Sequence, residues 1–287
     1  MKKRIPPLIF VLIILFAWFI VPPSSEAFPV ATFNIKNFSS RNYNKQEITQ
    51  IAELMKTSGA KLFALQEIED NASMRLLYLN FPVKDWEYKI YNSPEHKSNM
   101  NLAFLWNKSS FKKIDEPKAL MEDLSFVFED EQNIWWPKIP RKLFDRPPWV
   151  MKFFSEDLET DITFINVHLK AQIDTNDKPG YSRKKWQAQI KALGRSLRYY
   201  SNVIVLGDFN RDPKEFQHIP FLEIHMLTEG YSFDGYKSNL DFLGFYLPSA
   251  KIKSKTWKVS EVESAIKTKY GKEIPDHDII VLSYLTN

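Results

Sequence analysis

Apolar residues along this chain fall into short β-rich runs that repeatedly end in polar residues. Phe28 to Ile35, Lys61 to Leu65, Trp86 to Tyr91, Leu102 to Trp106, Trp149 to Phe154, Asp161 to Val167, Val203 to Leu206, Leu240 to Phe245 and Ile279 to Tyr284 read as strands. Helical spacing appears in fewer places. Asn44 and Glu47 form a capping-box signature, and Ile48, Ile51, Ala52, Leu54 and Met55 then recur through Thr57, where Ser58-Gly59 stops the helix. A second short helix is expected over Ser73 to Leu79. A third, Ser182 to Tyr199, carries Trp186, Ile190, Leu193 and Leu197 as an apolar stripe that packs on a sheet. Asn37 to Asn42 reads as loop. Residues 111–148 show no clear period, only acidic patches followed by Ile134-Trp135-Trp136-Pro137. A strand-rich chain with a few interspersed helices predicts an α+β fold, two sheets face to face with helices outside. A doubly wound fold would need a helix after nearly every strand, and none is evident from Trp86 to His168.

The N-terminus changes the picture of the whole. Lys2, Lys3 and Arg4 precede an apolar stretch from Leu8 to Val21, then Pro22-Pro23 and Ser24-Ser25-Glu26-Ala27. This pattern reads as a secretory signal peptide over residues 1–27, with Ser25 and Ala27 as the small residues before cleavage and Phe28 as the new N-terminus. The alternative is an uncleaved membrane anchor, since Ile5 to Val21 is near the lower limit of about 17 residues for spanning a bilayer. Residues 28–287 then form one domain, with no repeat or low-complexity linker to divide them. A content of 44% hydrophobic residues supplies a core and excludes disorder. The net charge of +4 suits an anionic substrate but lacks the dense Lys/Arg signature of a dedicated nucleic-acid binder. With no cysteine, disulfides, thiolate metal sites and lipid-modified cysteines are excluded.

Candidate chemistry sits where the strands end. Gly207-Asp208-Phe209-Asn210 follows the Val203 to Leu206 run; extended geometry would send Asp208 and Asn210 to one face and Phe209 to the core. Alone, this tetrapeptide reads equally well as a turn. Glu67, His168, Asp241, Asp276 and His277 stand in comparable positions, beside the ends of other apolar runs.

Together these stretches resemble the endonuclease/exonuclease/phosphatase superfamily, whose best-known member is the pancreatic-type deoxyribonuclease. The resemblance rests on Thr32-Phe33-Asn34-Ile35, Leu65-Gln66-Glu67, Phe144-Asp145-Arg146-Pro147-Pro148, Asn166-Val167-His168-Leu169-Lys170, Arg183 with Gln187, Gly207-Asp208-Phe209-Asn210, Leu240-Asp241 and Asp276-His277, in family order. It implies a four-layer α/β/β/α sandwich of two mainly antiparallel sheets flanked by helices. It also implies a hydrolase that cuts phosphoesters with Mg²⁺, for which Mn²⁺ or Ca²⁺ can substitute or assist. In that resemblance Glu67 is a metal ligand, and Asp276 is a ligand or an electrostatic member. Asn34 and Asn210 hold the site and the phosphate, and Asp208 orients or deprotonates the attacking water. His277 contacts the phosphate with Asp241 fixing its tautomer, while His168 protonates the leaving group or stabilises the transition state. Which histidine is the acid stays open. Arg146, Lys170 and Arg183 are the substrate-clamp cations, although Arg183 and Gln187, at i and i+4, also fit a structural pair. His96, His218 and His225 fall outside the matched stretches and are assigned no role.

Departures from the family pattern narrow the function. Lys36 stands where abasic-site repair nucleases carry an acidic residue, and Glu69 where pancreatic-type nucleases carry a DNA-contacting arginine; Glu69 is expected to repel phosphates. Ser98-Asn99-Met100-Asn101 offers only amides where deoxyribonuclease supplies an acidic partner to its first histidine, and Pro275 replaces the usual serine. The expectation is an exported, monomeric endonuclease, secreted or periplasmic, acting on DNA more than RNA and having no stable protein partner. The alternative is a phosphatase or sphingomyelinase-like phospholipase of the same superfamily, in which Trp135-Trp136 forms a membrane-inserting tip instead of core.

Overall fold

The computed structural model describes residues 26–91, 100–127, 140–173, 180–212, 223–225, 240–246, 257–262 and 277–285. Residues 1–25, His96, Ser98-Asn99, Trp135-Trp136, His218, Pro275 and Asp276 lie outside the described residues, as does the side chain of His225. The first half comprises β1 (Glu26–Phe38), α1 (Lys45–Thr57), β2 (Leu62–Ile68), α2 (Asn71–Tyr78), β3 (Trp86–Ile90), β4 (Asn101–Asn107), β5 (Phe111–Lys113), β6 (Lys118–Ala119) and β7 (Ser125–Phe126). The second comprises β8 (Arg141–Lys142), β9 (Trp149–Ser155), β10 (Thr160–His168), α3 (Tyr181–Leu197), β11 (Val203–Asp208), β12 (Glu223–His225), β13 (Asp241–Tyr246), β14 (Trp257–Val262) and β15 (Ile279–Leu285).

One sheet has the order β14-β15-β1-β2-β4-β3 and the other β12-β13-β11-β10-β9-β5, with β6 also on β9. Each sheet contains one parallel pair, β1 with β2 and β10 with β11. These are the pairs joined through a helix, α1 and α3, because returning a chain parallel to itself needs a crossover. Every other described pairing is antiparallel.

The period of two along each strand assigns its faces. Phe28, Val30, Phe104 and Trp106 of the first sheet meet Trp149, Phe153, Phe164 and Leu206 of the second in an apolar layer between the sheets. The outer face of the first sheet, Ala31, Phe33, Phe63 and Leu65, is covered by Ile48, Ile51 and Met55 of α1 and by Met74 and Leu77 of α2. On the other side Ile165, Val167, Val203 and Val205 lie under Trp186, Leu193 and Leu197 of α3. The result is the four-layer α/β/β/α sandwich.

Local chemistry sets the element ends. The Asn44 side chain accepts from Gln46 N and Glu47 N, while Glu47 Oε2 accepts from Asn44 N at 2.8 Å, completing the capping box of α1. Helix α2 begins at Asn71, before the expected Ser73, because Asp70 is its N-cap and accepts from Ser73 N at 2.7 Å. Strand β1 runs on to Phe38, into the expected loop. Strands β5 to β8, in the stretch without a visible period, are two or three residues long, too short to display one. At its other end β1 begins at Glu26, and Glu26 and Ala27 pair with Leu285 and Tyr284.

Gly207 lies where a side chain has no room between two strands. It lies opposite Val167 in the β10–β11 pair with φ of 147°, and a Cβ there would stand 2.0 Å from the Val167 carbonyl oxygen. That oxygen belongs to backbone and cannot swing aside. Gly59, with φ of 71°, has nothing within 4 Å of the equivalent position, so a side chain there costs only its backbone conformation, ~1–2 kcal/mol. Gly207→Ala is therefore expected to lower stability by at least twice as much as Gly59→Ala, read from urea midpoints at constant m. Equal midpoints for the two variants would contradict this reading of the β10–β11 contact.

Candidate active site

The inward-facing rows change character along their length. In β1 the row runs Phe28, Val30, Thr32, Asn34; in β2 Leu62, Ala64, Gln66; in β10 Ile162, Phe164, Asn166, His168; in β11 Ile204, Leu206, Asp208. Strand β13 runs the opposite way and begins its row with Asp241 before Leu243. Apolar residues occupy one end, neutral polar residues the middle, and ionisable residues the other end. The parallel registers bring His168 beside Asp208, and the antiparallel one brings Asp208 beside Asp241.

Glu67 breaks the alternation. Continuing the period from Leu62, Ala64 and Gln66 would turn residue 67 outward, toward the helices. Between Leu65↔Ala103 and Ile68↔Asn101, however, Gln66 and Glu67 oppose Leu102 alone, a β-bulge, and Glu67 adopts φ of 61°. The bulge aims its carboxylate into the site. Oε2 accepts from Asn37 N at 2.8 Å, and Oε1 lies 3.4 Å from Asn34 Nδ2 and 3.8 Å from His168 Nε2. A left-handed conformation at a non-glycine residue costs ~1–3 kcal/mol, strain of the kind that gathers at functional sites. Asn210 is also left-handed, with φ of 59°.

The two sheets join at Asp208. Asn34 Nδ2, from the first sheet, donates to Asp208 Oδ2 at 2.9 Å, and Asn210 N donates to Oδ1 at 2.8 Å. His168 Nε2 is 3.5 Å from Oδ2. His277 Nδ1 lies 2.6 Å from Asp241 Oδ2, an imidazole–carboxylate pair in which both groups are buried. Asp208, Asp241 and His277 each offer a ligand atom within 4.8 Å of one another. Asn210 Nδ2 donates to Leu169 O at 3.2 Å, so this amide also fastens the loop that follows β10.

The cations are placed differently from one another. Arg146 Nε and Nη1 are buried and have no hydrogen-bond partner among the described residues, as do Asn34 Oδ1 and His168 Nδ1. Lys170 is half-buried, and its N–H donates to Gln189 Oε1. Arg183 and Gln187 are exposed on α3, away from the sheet. The buried polar residues of that helix are Ser182, Lys185 and Gln189, and the sequence reading missed the last two. Lys185 Nζ bonds Asp145 Oδ1 at 2.6 Å, beside Arg146, and Gln189 Nε2 donates to Leu143 O at 2.9 Å. Their signal was polar residues within the apolar stripe of Trp186 and Leu193. Glu69 is ion-paired with the exposed Arg41, so the repulsion expected of its lone charge is offset.

The model of the Endonuclease/Exonuclease/phosphatase family matches residues 31–249. The chain belongs to this family. Its members are metal-dependent phosphoester hydrolases. No curated protein matches the sequence. Among solved structures, truncated TDP2 from Caenorhabditis elegans is similar at 15% identity and TM-score 0.63, covering 90% of this chain and 97% of that one. D. rerio TDP2 complexed with single strand DNA product is similar at 12% identity and TM-score 0.63, covering 90% and 99%. The human Nocturnin catalytic domain with bound sulfate anion is similar at 14% identity and TM-score 0.56, covering 90% and 94%. At these identities the likeness is one of fold, the deoxyribonuclease I-like sandwich.

Burial gives this family member's site its electrostatics. Asp208 is pushed up to about 7, first by burial and then by the Asp241 carboxylate, against the opposing pull of His277, Asn34 and Asn210 N–H. Its proton is therefore exchangeable near neutral pH, as acid–base work requires. The His168 imidazole is held well below its ordinary value by burial, then by Arg146 and His277, and is neutral at pH 7. Burial also lowers Arg146, while Glu67, Asp145 and Asp208 resist that shift.

A raised Asp208 fixes the sign of a pH effect. From the unfolded value of 3.8 upward, the unfolded chain releases this proton while the folded chain keeps it to about 7. Its stabilising contribution is thus complete below pH 3.8 and is lost as pH rises through about 7. In EDTA at pH 8, Asp208→Asn is expected to melt a few degrees above wild type, at ~2–4 °C per kcal/mol for a domain of this size. An Asn34 amide flip, using its Oδ1 as acceptor, accommodates the new donor. The difference should shrink toward pH 4, and a variant that melts below wild type at pH 8 contradicts the assignment.

Proposed function

We propose that this protein is an exported, Mg²⁺-dependent endonuclease that hydrolyses phosphodiesters of DNA in preference to RNA. The observation that carries this reading is a set of buried groups without a hydrogen-bond partner among the described residues: Arg146 Nε and Nη1, Asn34 Oδ1 and His168 Nδ1, around the buried Asp208. Leaving each such group unsatisfied costs ~1–3 kcal/mol, so together they call for a polar ligand with both donors and acceptors. A phosphodiester with its attacking water has that character. The donor set also fits a hard divalent ion, because carboxylate and amide oxygens suit magnesium. Such an ion neutralises charge developing on phosphoryl oxygens.

In this reading Glu67, with Asp276, holds the cation; its bulged backbone and the Asn37 N–H fix the carboxylate. Arg146 binds the scissile phosphate through its fork of donors. Asp208 accepts the proton of the attacking water, and Asn34 and Asn210 hold its two oxygens in place. His277, oriented by Asp241, stands over the phosphate; neutral His168 stabilises it from the other flank. In the same reading Lys170, past the site end of β10, and Arg183, in the first turn of α3, bind phosphates beyond the scissile one. A polymer offers those phosphates and a lipid headgroup does not. The single-strand DNA product reported for D. rerio TDP2 shows that this fold can take a nucleic acid. The N-terminal segment supports export, and Phe28 N donates to Asp157 Oδ2 at 2.8 Å, where an α-ammonium produced by cleavage would find a counter-charge. The protein acts as a monomer, without a stable protein partner.

The purified protein is expected to nick supercoiled plasmid with Mg²⁺ and to stop on adding EDTA. His277→Ala should lower kcat by about 10²–10⁴ with an unchanged fold. Arg183→Ala should raise KM for plasmid but not for bis-p-nitrophenyl phosphate. Release of phosphocholine from sphingomyelin with plasmid and RNA left intact would overturn the nuclease reading in favour of a phospholipase.

A further inference from the structure

Asn166 lies two residues before His168 on β10, fully buried between the sheets. Its Nδ2 donates to Leu65 O at 3.0 Å and to Ala103 O at 2.9 Å, both on the opposite sheet, and its Oδ1 accepts from Gln66 Nε2 at 2.8 Å. Leu65 and Ala103 are the last directly opposed pair before the bulge that contains Glu67. In the β2–β4 register Leu65 and Ala103 form a hydrogen-bonded ladder pair, in phase with the Asn107 N–H to Lys61 O bond at 2.8 Å, so each carbonyl accepts from the other residue and keeps one lone pair. The two amide hydrogens of Asn166 take up those remaining lone pairs from across the sandwich and so clamp the last regular pair before the bulge. Gln66, the residue adjoining Glu67, is held by the same amide and by Thr32 Oγ1 at 3.2 Å.

We infer that Asn166 is a positioning residue for Glu67: by capping the Leu65 and Ala103 carbonyls it holds the bulge that turns the Glu67 carboxylate into the site. Without this clamp the last ladder pair can slip and absorb the bulge, and a shift of one position exchanges the two faces of a strand. Glu67 would then face the α1 and α2 side, and Ile68 would face the site. The same amide ties the Glu67 edge of one sheet to the His168 edge of the other. This inference rests on the proposed reading of Glu67 as a metal ligand.

Mn²⁺ binding to the full chain, measured by titration calorimetry without substrate, tests both separately. Asn166→Leu, close in volume and without donors, should raise the Kd tenfold or more, and its hydrolytic activity should recover at high Mn²⁺. Thr32→Val removes the hydroxyl's bonds to Gln66 within the same buried layer but leaves the two Asn166 bonds to the Leu65 and Ala103 carbonyls. Its Kd should stay within twofold of wild type even if its Tm falls as far. Should Asn166→Leu not fold, Asn166→Ser, which keeps a single donor, is measured in its place with the same expected rise. A Kd within twofold of wild type in the folded Asn166 variant, or an equal rise in Thr32→Val, overturns the positioning role. Glu67→Gln is the control for the underlying reading. If that variant binds Mn²⁺ as wild type does, the assignment of Glu67 fails; if it binds weakly while the Asn166 variant does not, only the positioning role fails.

Discussion

Asn34 and Asp208 meet across the gap between two sheets, and their 2.9 Å hydrogen bond is where the sandwich changes from core to site. Below it the facing rows are Phe28, Val30, Phe164 and Leu206, whose burial holds the sheets together. At its level, the space between the sheets must be filled by polar groups that satisfy one another. Thr32, Gln66 and Asn166 do so completely enough to make a neutral layer between the apolar core and the charged end. This order explains how carboxylates and imidazoles can be buried so closely. The energy of apolar packing offsets their desolvation, and the amide layer orients them.

The topology concentrates these groups. In each sheet one parallel pair is produced by a helical crossover, and parallel strands deliver their C-terminal residues to the same end. Asn34, Glu67, His168 and Asp208 all arrive in this way. Strand β13 contributes Asp241 from its start because it runs the other way. Gly207 allows β10 and β11 to approach closely enough for His168 and Asp208 to lie side by side.

Much of this was legible in the sequence because it depends on local periods. The strand runs, the capping box of Asn44 and Glu47, the stripe on α3 and the polar residues at strand ends all have signals a few residues long. What the sequence did not disclose depends on pairing between distant segments. The bulge at Glu67 is visible only in the register of β2 against β4. Strict alternation turns that carboxylate toward the helices. The balance of Glu69 by Arg41 likewise requires knowing that the loop after β1 lies beside the end of β2. On α3, Arg183 and Gln187 were spaced correctly for a pair, but the stripe of Trp186 and Leu193 already implied that Lys185 and Gln189 face inward. The resemblance carried Asp276 into the metal site, and that residue lies outside the described part of the chain.

In the proposed reading cation and phosphate occupy different walls of one site, Glu67 holding the first and Arg146 the second. A crystal structure with Mn²⁺ and a deoxydinucleotide product addresses it directly, because the manganese anomalous signal locates the ion independently of the phosphate. The expected result is an anomalous peak in contact with the Glu67 carboxylate and a phosphate bonded to the Arg146 guanidinium. A single peak among Asp208, Asp241 and His277, whose ligand atoms also lie within 4.8 Å of one another, with Glu67 untouched, would contradict it.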